Sequence, residues 1–288
     1  MNKKMTFGIG IISLFVIFTI IPFAVSNATN SRAITTDAQG GDVVLATEAV
    51  TATGDGIVNK YAVIVGISDY KAINDLTLAD EDAVDWFNQL DPLGYECKVF
   101  GDGTNYYPQF DGLATEYAVK QAITYYLSIA DGDDIFVFAT SGHGGATKGK
   151  TRNSFLCMWD CSSGELGENG YIYDYEMQPL FAPAVCKWFI FLDHCNSGGM
   201  DEVMTNANSA NGYMATTCTA KGYGYDYPPG NNGAWTYFFL EVAWQQHFGG
   251  GLEIPMETIF DYAVSIYPYD GYDLPQEFDG NTGALFYL

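Results

Sequence analysis

Apolar residues along the chain fall into short unbroken runs, separated by longer stretches in which they recur every three or four positions. The unbroken runs are Tyr61–Ile67, Ile135–Thr140 and Trp188–Leu192. Each has the length of a strand and no polar face, as expected for strands covered on both sides in a parallel sheet. Asp80–Leu90 places Ala83, Val84, Phe87 and Leu90 on one helical face. Thr115–Ala130 repeats that pattern, with Thr115 as N-cap and Gly132 just past its end. Shorter strands are expected at Glu96–Phe100, Tyr213–Thr217 and Ala284–Leu288, and a hairpin or loop region over Ser154–Tyr173. Further helices are expected at Tyr175–Phe181, Ala234–Phe248 and Met256–Ile266. Strands alternating with helices imply right-handed crossovers and an α/β fold, with a mostly parallel central sheet of about six strands and helices on both faces. No internal repeat or second apolar unit is present, so residues 59–288 are read as one domain.

The N-terminus has a different pattern. Lys3 and Lys4 precede an almost wholly apolar stretch, Phe7–Val25, and Ser26-Asn27-Ala28 offers small residues for cleavage. Residues 1–28 are therefore read as an export signal, which places the remainder outside the cytoplasm, secreted or held at the surface. The stretch approaches the length that spans a bilayer, so an uncleaved N-terminal anchor is the alternative. Residues 29–58 lack periodicity and are rich in turn formers; they are read as a linker or pro-segment, with Arg32 and Lys60 as candidate processing points.

Charge narrows the partners. Twelve basic residues against 35 acidic ones give a formal net of -23, which argues against nucleic acid, whose phosphates need clustered Lys and Arg. Six cysteines are too few for a disulfide scaffold and lack the paired C-x-x-C spacing of a structural zinc site. Cys157 and Cys161 are close enough in sequence to bridge to each other or to Cys186, and spacing does not choose between these.

The candidate chemistry lies where two of the buried runs stop. Ile135–Thr140 leads into Ser141-Gly142-His143-Gly144-Gly145, and Trp188–Leu192 leads into Asp193-His194-Cys195-Asn196-Ser197-Gly198-Gly199. In open parallel sheets, ligands sit at the carboxyl ends of strands. A cysteine acts as nucleophile through its thiolate and needs a base to activate it. His143 is the candidate base: its glycine neighbours let backbone approach a substrate, whereas His194 is adjacent to Cys195 on a tight turn and His247 sits late in a helix. The amides of Gly144 and Cys195 are the candidate oxyanion donors. Ser197 is excluded as nucleophile, because it lacks the glycine two residues earlier that a nucleophile elbow requires.

The two motifs resemble the histidine and cysteine motifs of the caspase-like cysteine peptidases (peptidase C14), especially metacaspases and their prokaryotic relatives. His143 precedes Cys195 by 52 residues, close to the caspase spacing. Tyr61–Tyr70, Leu76–Ala83, Met214–Thr216, Asn232–Thr236 and Pro275-Gln276 resemble further family landmarks in the same order. The resemblance implies the caspase-hemoglobinase fold and an endopeptidase that forms an acyl-enzyme on Cys195, with His143 as acid–base. It also implies an S1 pocket lined by Asp82, Ser141 and Asp193, which would take arginine or lysine at P1. Many metacaspases need calcium; Asp102, Asp131, Asp133 and Asp134 are candidate ligands without EF-hand spacing, so calcium is carried as a candidate activator with no assigned site. No other cofactor is expected, and the chain is expected to act as a monomer on peptide or protein substrates.

Two departures keep alternatives open. Asn196 follows the cysteine where metacaspases usually have histidine. The Cys-x-Ser-Gly-x-Met pattern of Cys195–Met200 is similar to the legumain branch of the same fold, which cleaves after asparagine. A catalytically silent surface module, using the tyrosine-rich loop Lys221–Gly233 as its interaction face, is the alternative of a different class.

Overall fold

The computed structural model describes residues 54–104 and 106–288. The export signal expected over 1–28, and all of the expected linker up to residue 53, lie outside the described residues.

In chain order the elements are β1 (Lys60–Gly66), α1 (Ala79–Leu90), β2 (Glu96–Gly101), β3 (Gly112–Leu113), α2 (Glu116–Ile129), β4 (Ile135–Ser141), β5 (Gly144–Ala146), β6 (Ser154–Cys157), β7 (Tyr171–Tyr173), α3 (Asp174–Phe181), β8 (Lys187–Asp193) and β9 (Gly212–Thr216). There follow β10 (Asp226–Tyr227), β11 (Asn232–Gly233), α4 (Ala234–Thr236), which runs on into a π-helix over Tyr237–His247, then α5 (Met256–Ile266) and β12 (Gln276–Asp279). Seven strands form the main sheet in the order β12-β9-β8-β4-β1-β2-β3. All neighbours in it are parallel except β12, which runs antiparallel to β9. The expected α/β architecture is present, with two short edge strands in addition to the five long ones.

The unbroken apolar runs are explained by two separate cores. Alternate side chains point to opposite faces of a strand, and each face is covered. Phe189 and Phe191 of β8 pack with Trp86 of α1, Phe239 of the π-helix and Ile259 of α5. Trp188, Ile190 and Leu192 pack on the other face with Ile123 of α2 and Phe181 of α3. Thr115 caps α2 as expected, accepting a hydrogen bond from the Ala118 N–H at 3.2 Å.

One expected strand is misplaced. Ala284–Leu288 is not a strand, although Phe286 and Leu288 do contribute to a core. The sheet is completed by Gln276–Asp279, whose only apolar residue is Phe278. An edge strand has a partner on one side only, and this one carries a single apolar residue among polar ones, so no apolar run reveals it. The Ser154–Tyr173 region resolves into β6 and β7, which join β5 in a small antiparallel sheet beside the main one.

Candidate active site

β4 and β8 are paired so that Ser141 lies opposite Asp193. Both strands end at that level, and two residues further on each loop presents His143 or Cys195. Both side chains line one cleft of about 200 Å³, together with Leu76, Gly224, Tyr225 and Asp226. Separation by 52 residues in sequence thus becomes proximity through strand register.

His143 is held at three atoms. Its carbonyl accepts from the Cys157 N–H at 2.9 Å and from His194 Nδ1 at 3.0 Å, and its own N–H donates to the Tyr70 hydroxyl at 2.6 Å. Its Nε2 lies 2.8 Å from the Asn74 carbonyl. A carbonyl can only accept, so Nε2 carries the proton in the neutral ring and Nδ1 is the basic nitrogen. Cys195 is half-buried, and its thiol donates to the Gly224 carbonyl at 3.7 Å. Burial pushes that thiol's pKa up, with the Asp193 and Asp273 carboxylates adding to the effect. Among the described residues no hydrogen bond joins His143 to Cys195, and each is oriented by other groups.

The ladder between β5 and β6 sets the direction of the Gly144 N–H. The Cys157 N–H reaches the His143 carbonyl and the Thr147 N–H reaches the Asn153 carbonyl at 2.8 Å. By the alternation of an antiparallel ladder, the intervening Gly144 N–H points away from β6. Cys195 passes close to Gly144: a Cβ there would come within 2.4 Å of the Cys195 carbonyl oxygen. Only glycine allows this approach. The Cys195 N–H has no protein acceptor among the described residues, which leaves it available to a substrate oxygen.

Beneath the cleft two carboxylates converge on one backbone atom. A Cβ on Gly233 would lie 2.5 Å from Asp193 Oδ2 and 2.6 Å from Asp82 Oδ2. Ser141 Oγ donates to Asp82 at 2.5 Å, the Gly233 N–H donates to Asp82 Oδ1 at 2.9 Å, and the Thr236 N–H donates to Asp193 at 2.9 Å. Burial raises both carboxyl pKa values, that of Asp193 to about 6, and the charge on Asp193 adds to the shift of Asp82. Neither pairs with a lysine or arginine among the described residues. Two buried acids without a cation form a site that favours a cationic ligand.

His194 is fully engaged: Nδ1 donates to the His143 carbonyl and Nε2 accepts from Thr140 Oγ1 at 3.0 Å. Burial lowers its pKa to about 4, so it is neutral and bolts the two loops together. The tyrosine-rich loop Lys221–Gly233, the interaction face under the silent-module alternative, contributes Gly224, Tyr225, Asp226 and Gly233 to the cleft wall. Sequence reasoning missed Tyr70, Asn74 and Asp226, none of which belongs to an apolar run or a glycine-flanked motif.

The candidate calcium ligands lie in different settings. Asp102 accepts the Ser68, Asp69 and Thr104 N–H groups, and Asp134 accepts those of Asn59 and Asp131. Asp131 and Asp133 instead approach Asp55 at the surface. A second acidic cluster, Glu116, Glu168 and Glu176, already surrounds the Lys120 ammonium. All six cysteines are free, so none of the pairings considered for Cys157, Cys161 and Cys186 is formed.

A family model described as the caspase domain, peptidase C14, matches residues 59–262. No curated protein matches the chain. Among solved structures, a protein from Geobacter sulfurreducens superposes with a TM-score of 0.59 at 16% identity, over 78% of this chain and 95% of that one. Caspase-1 from Spodoptera frugiperda superposes with a TM-score of 0.57 at 13% identity, over 80% of this chain and 91% of that one. At these identities the structures attest the fold alone.

Proposed function

The chain belongs to the caspase-domain family of peptidases, and we propose that it is a cysteine endopeptidase that cleaves after arginine or lysine. The observation that carries this reading is the convergence of His143, Cys195 and the buried carboxylate of Asp193 in one cleft, with the Asp82 carboxylate beside Asp193 at Gly233 beneath it. A P1 guanidinium or ammonium entering the pocket supplies the cation that the two acids lack. The Cys195 thiol passes its proton to His143 Nδ1, and Sγ attacks the P1 carbonyl carbon. The developing oxyanion is met by the N–H groups of Gly144 and Cys195. His143 then protonates the departing amine, leaving a thioester, and water attacks this thioester to release the acid and regenerate the thiol. Asn74, by holding Nε2–H, keeps the ring in the tautomer that this sequence of proton transfers needs. Export of the enzyme rests on the apolar stretch Phe7–Val25.

The test is a panel of fluorogenic peptides with Arg, Lys, Asn or Asp at P1, assayed with calcium and with chelator. Arginine and lysine peptides are expected to be hydrolysed, and Cys195→Ala to remove turnover while leaving the melting temperature near that of the wild type. Turnover restricted to the asparagine peptide would instead favour the legumain-like reading. Undiminished hydrolysis by Cys195→Ala would sink the cysteine mechanism, and an absence of turnover with every peptide would support the silent module.

A further inference from the structure

In an antiparallel ladder, a hydrogen-bonded pair exchanges two bonds, one in each direction. His143 and Cys157 occupy such a position at the end of the β5–β6 ladder, and only one of the two bonds is made. The Cys157 N–H reaches the His143 carbonyl at 2.9 Å. The return bond is interrupted: the His143 N–H donates to the Tyr70 hydroxyl at 2.6 Å, and that hydroxyl donates onward to the Cys157 carbonyl at 3.5 Å. A tyrosine oxygen is thus inserted where backbone would otherwise meet backbone.

We propose that Tyr70 is a positioning residue for His143, its hydroxyl wedging the end of the ladder open so that the imidazole is held over the cleft instead of being drawn in toward β6. Three further features fit this role. The Tyr70 ring is buried and lies against the imidazole, with centroids 5.0 Å apart. Gly142 leaves room for the hydroxyl, since a Cβ there would come within 2.4 Å of it. Tyr70 and Asn74 also belong to one turn, closed by Tyr70 N–H to Asp75 Oδ1 at 3.0 Å and Leu76 N–H to the Ser68 carbonyl at 2.8 Å. A single turn after β1 therefore holds the base by its main-chain N–H and by its ring Nε2–H. The proposal rests on the reading of His143 as the base.

The competing role is that of a core aromatic whose hydroxyl is incidental. Tyr70→Phe separates the two, because it keeps the ring and removes only the wedge. On a P1-arginine peptide we expect kcat to fall about 10- to 100-fold, the scale of a small misplacement of a catalytic group, with KM within about twofold of wild type. Alkylation of Cys195 by iodoacetamide is expected to slow as well. In a His143→Ala background, Tyr70→Phe is expected to change the alkylation rate no further, since a residue that acts through His143 has nothing left to position. Gly142→Ala, which displaces the hydroxyl from the other side, is expected to reproduce the loss and carries the test if Tyr70→Phe does not fold. Wild-type kcat in a folded Tyr70→Phe, or an equal loss of alkylation rate with and without His143, overturns the proposal. If His143→Ala leaves both hydrolysis and alkylation intact, the base assignment itself fails and takes the positioning role with it.

Discussion

Asp193 and His194 are adjacent, both buried, and respond to pH in opposite ways. The carboxyl of Asp193 has a folded-state pKa of about 6, against an ordinary value of 3.8, with burial as the largest cause. Between those values the folded state holds a proton that the unfolded state has released, so stability falls as pH rises through the window and the cost is fully present above it. His194, pushed down to about 4 from 6.5 by burial, works the other way. Its contribution is present above about 6.5 and is lost as pH falls toward 4. Asp193→Asn is therefore expected to raise the melting temperature at pH 8, leave it nearly unchanged at pH 3.5, and remove cleavage after arginine; a drop in melting temperature at pH 8 would contradict the buried-charge account. Such a variant exchanges function for stability, as substitutions in strained sites commonly do. At this scale, the sequence made His143 and Cys195 stand out because each closely follows a buried run, His143 between two glycines and Cys195 in a polar turn closed by Gly198 and Gly199. It hid Tyr70 and Asn74, whose work is done by a hydroxyl and a backbone carbonyl that touch His143 only after β1 and β4 pair.

Helix α2 illustrates the same division between local and distant information. Its N-cap, Thr115, was readable from residue type and position. The adjacent Glu116 was not, because three of its partners lie more than fifty residues away: one oxygen accepts the N–H groups of Asn169, Gly170 and Tyr171 at 2.9, 2.7 and 3.1 Å. The other pairs with Lys120 at 3.0 Å. This one side chain fastens the loop entering β7, and through β7 and β6 the small sheet that carries Gly144. Thr115→Ala is expected to cost about 1 kcal/mol, the usual scale for a lost cap. Glu116→Ala leaves three N–H groups without their acceptor and is expected to cost about 3 kcal/mol or more. Urea unfolding monitored by circular dichroism, compared at constant m-value, ranks the two; equal costs would mean that water replaces the carboxylate at no penalty. The strand at Gln276–Asp279 escaped for a related reason. Its pairing with β9 is set by register, and its own sequence holds one apolar residue among three polar ones.

The whole molecule is dominated by its formal charge of -23, and three of its acids are gathered around the cleft. Asp82, Asp193 and Asp226 all stand at or beneath it, and burial raises the pKa of each, so placing them there is electrostatically unfavourable in the free protein. Charge and the two-sided apolar strands were legible in the sequence, because one is a sum over residues and the other a local pattern. The gathering of three carboxylates around one opening was not, since it depends on how strand ends and the β10–β11 hairpin come together. The consequence is a pair of salt effects of opposite sign. Added sodium chloride screens self-repulsion over the acidic surface, so the melting temperature is expected to rise between low and roughly half-molar salt. The same screening weakens the pull on a cationic substrate, so kcat/KM for a P1-arginine peptide is expected to fall several-fold over that range, chiefly through slower association. Both measurements belong in chelator, so that ionic strength is varied without divalent cations, and an uncharged P1 analogue serves as the control for encounter. If stability and kcat/KM were to rise together with salt, the acidic field would be acting against substrate capture, and a basic P1 residue would be the wrong choice for this cleft.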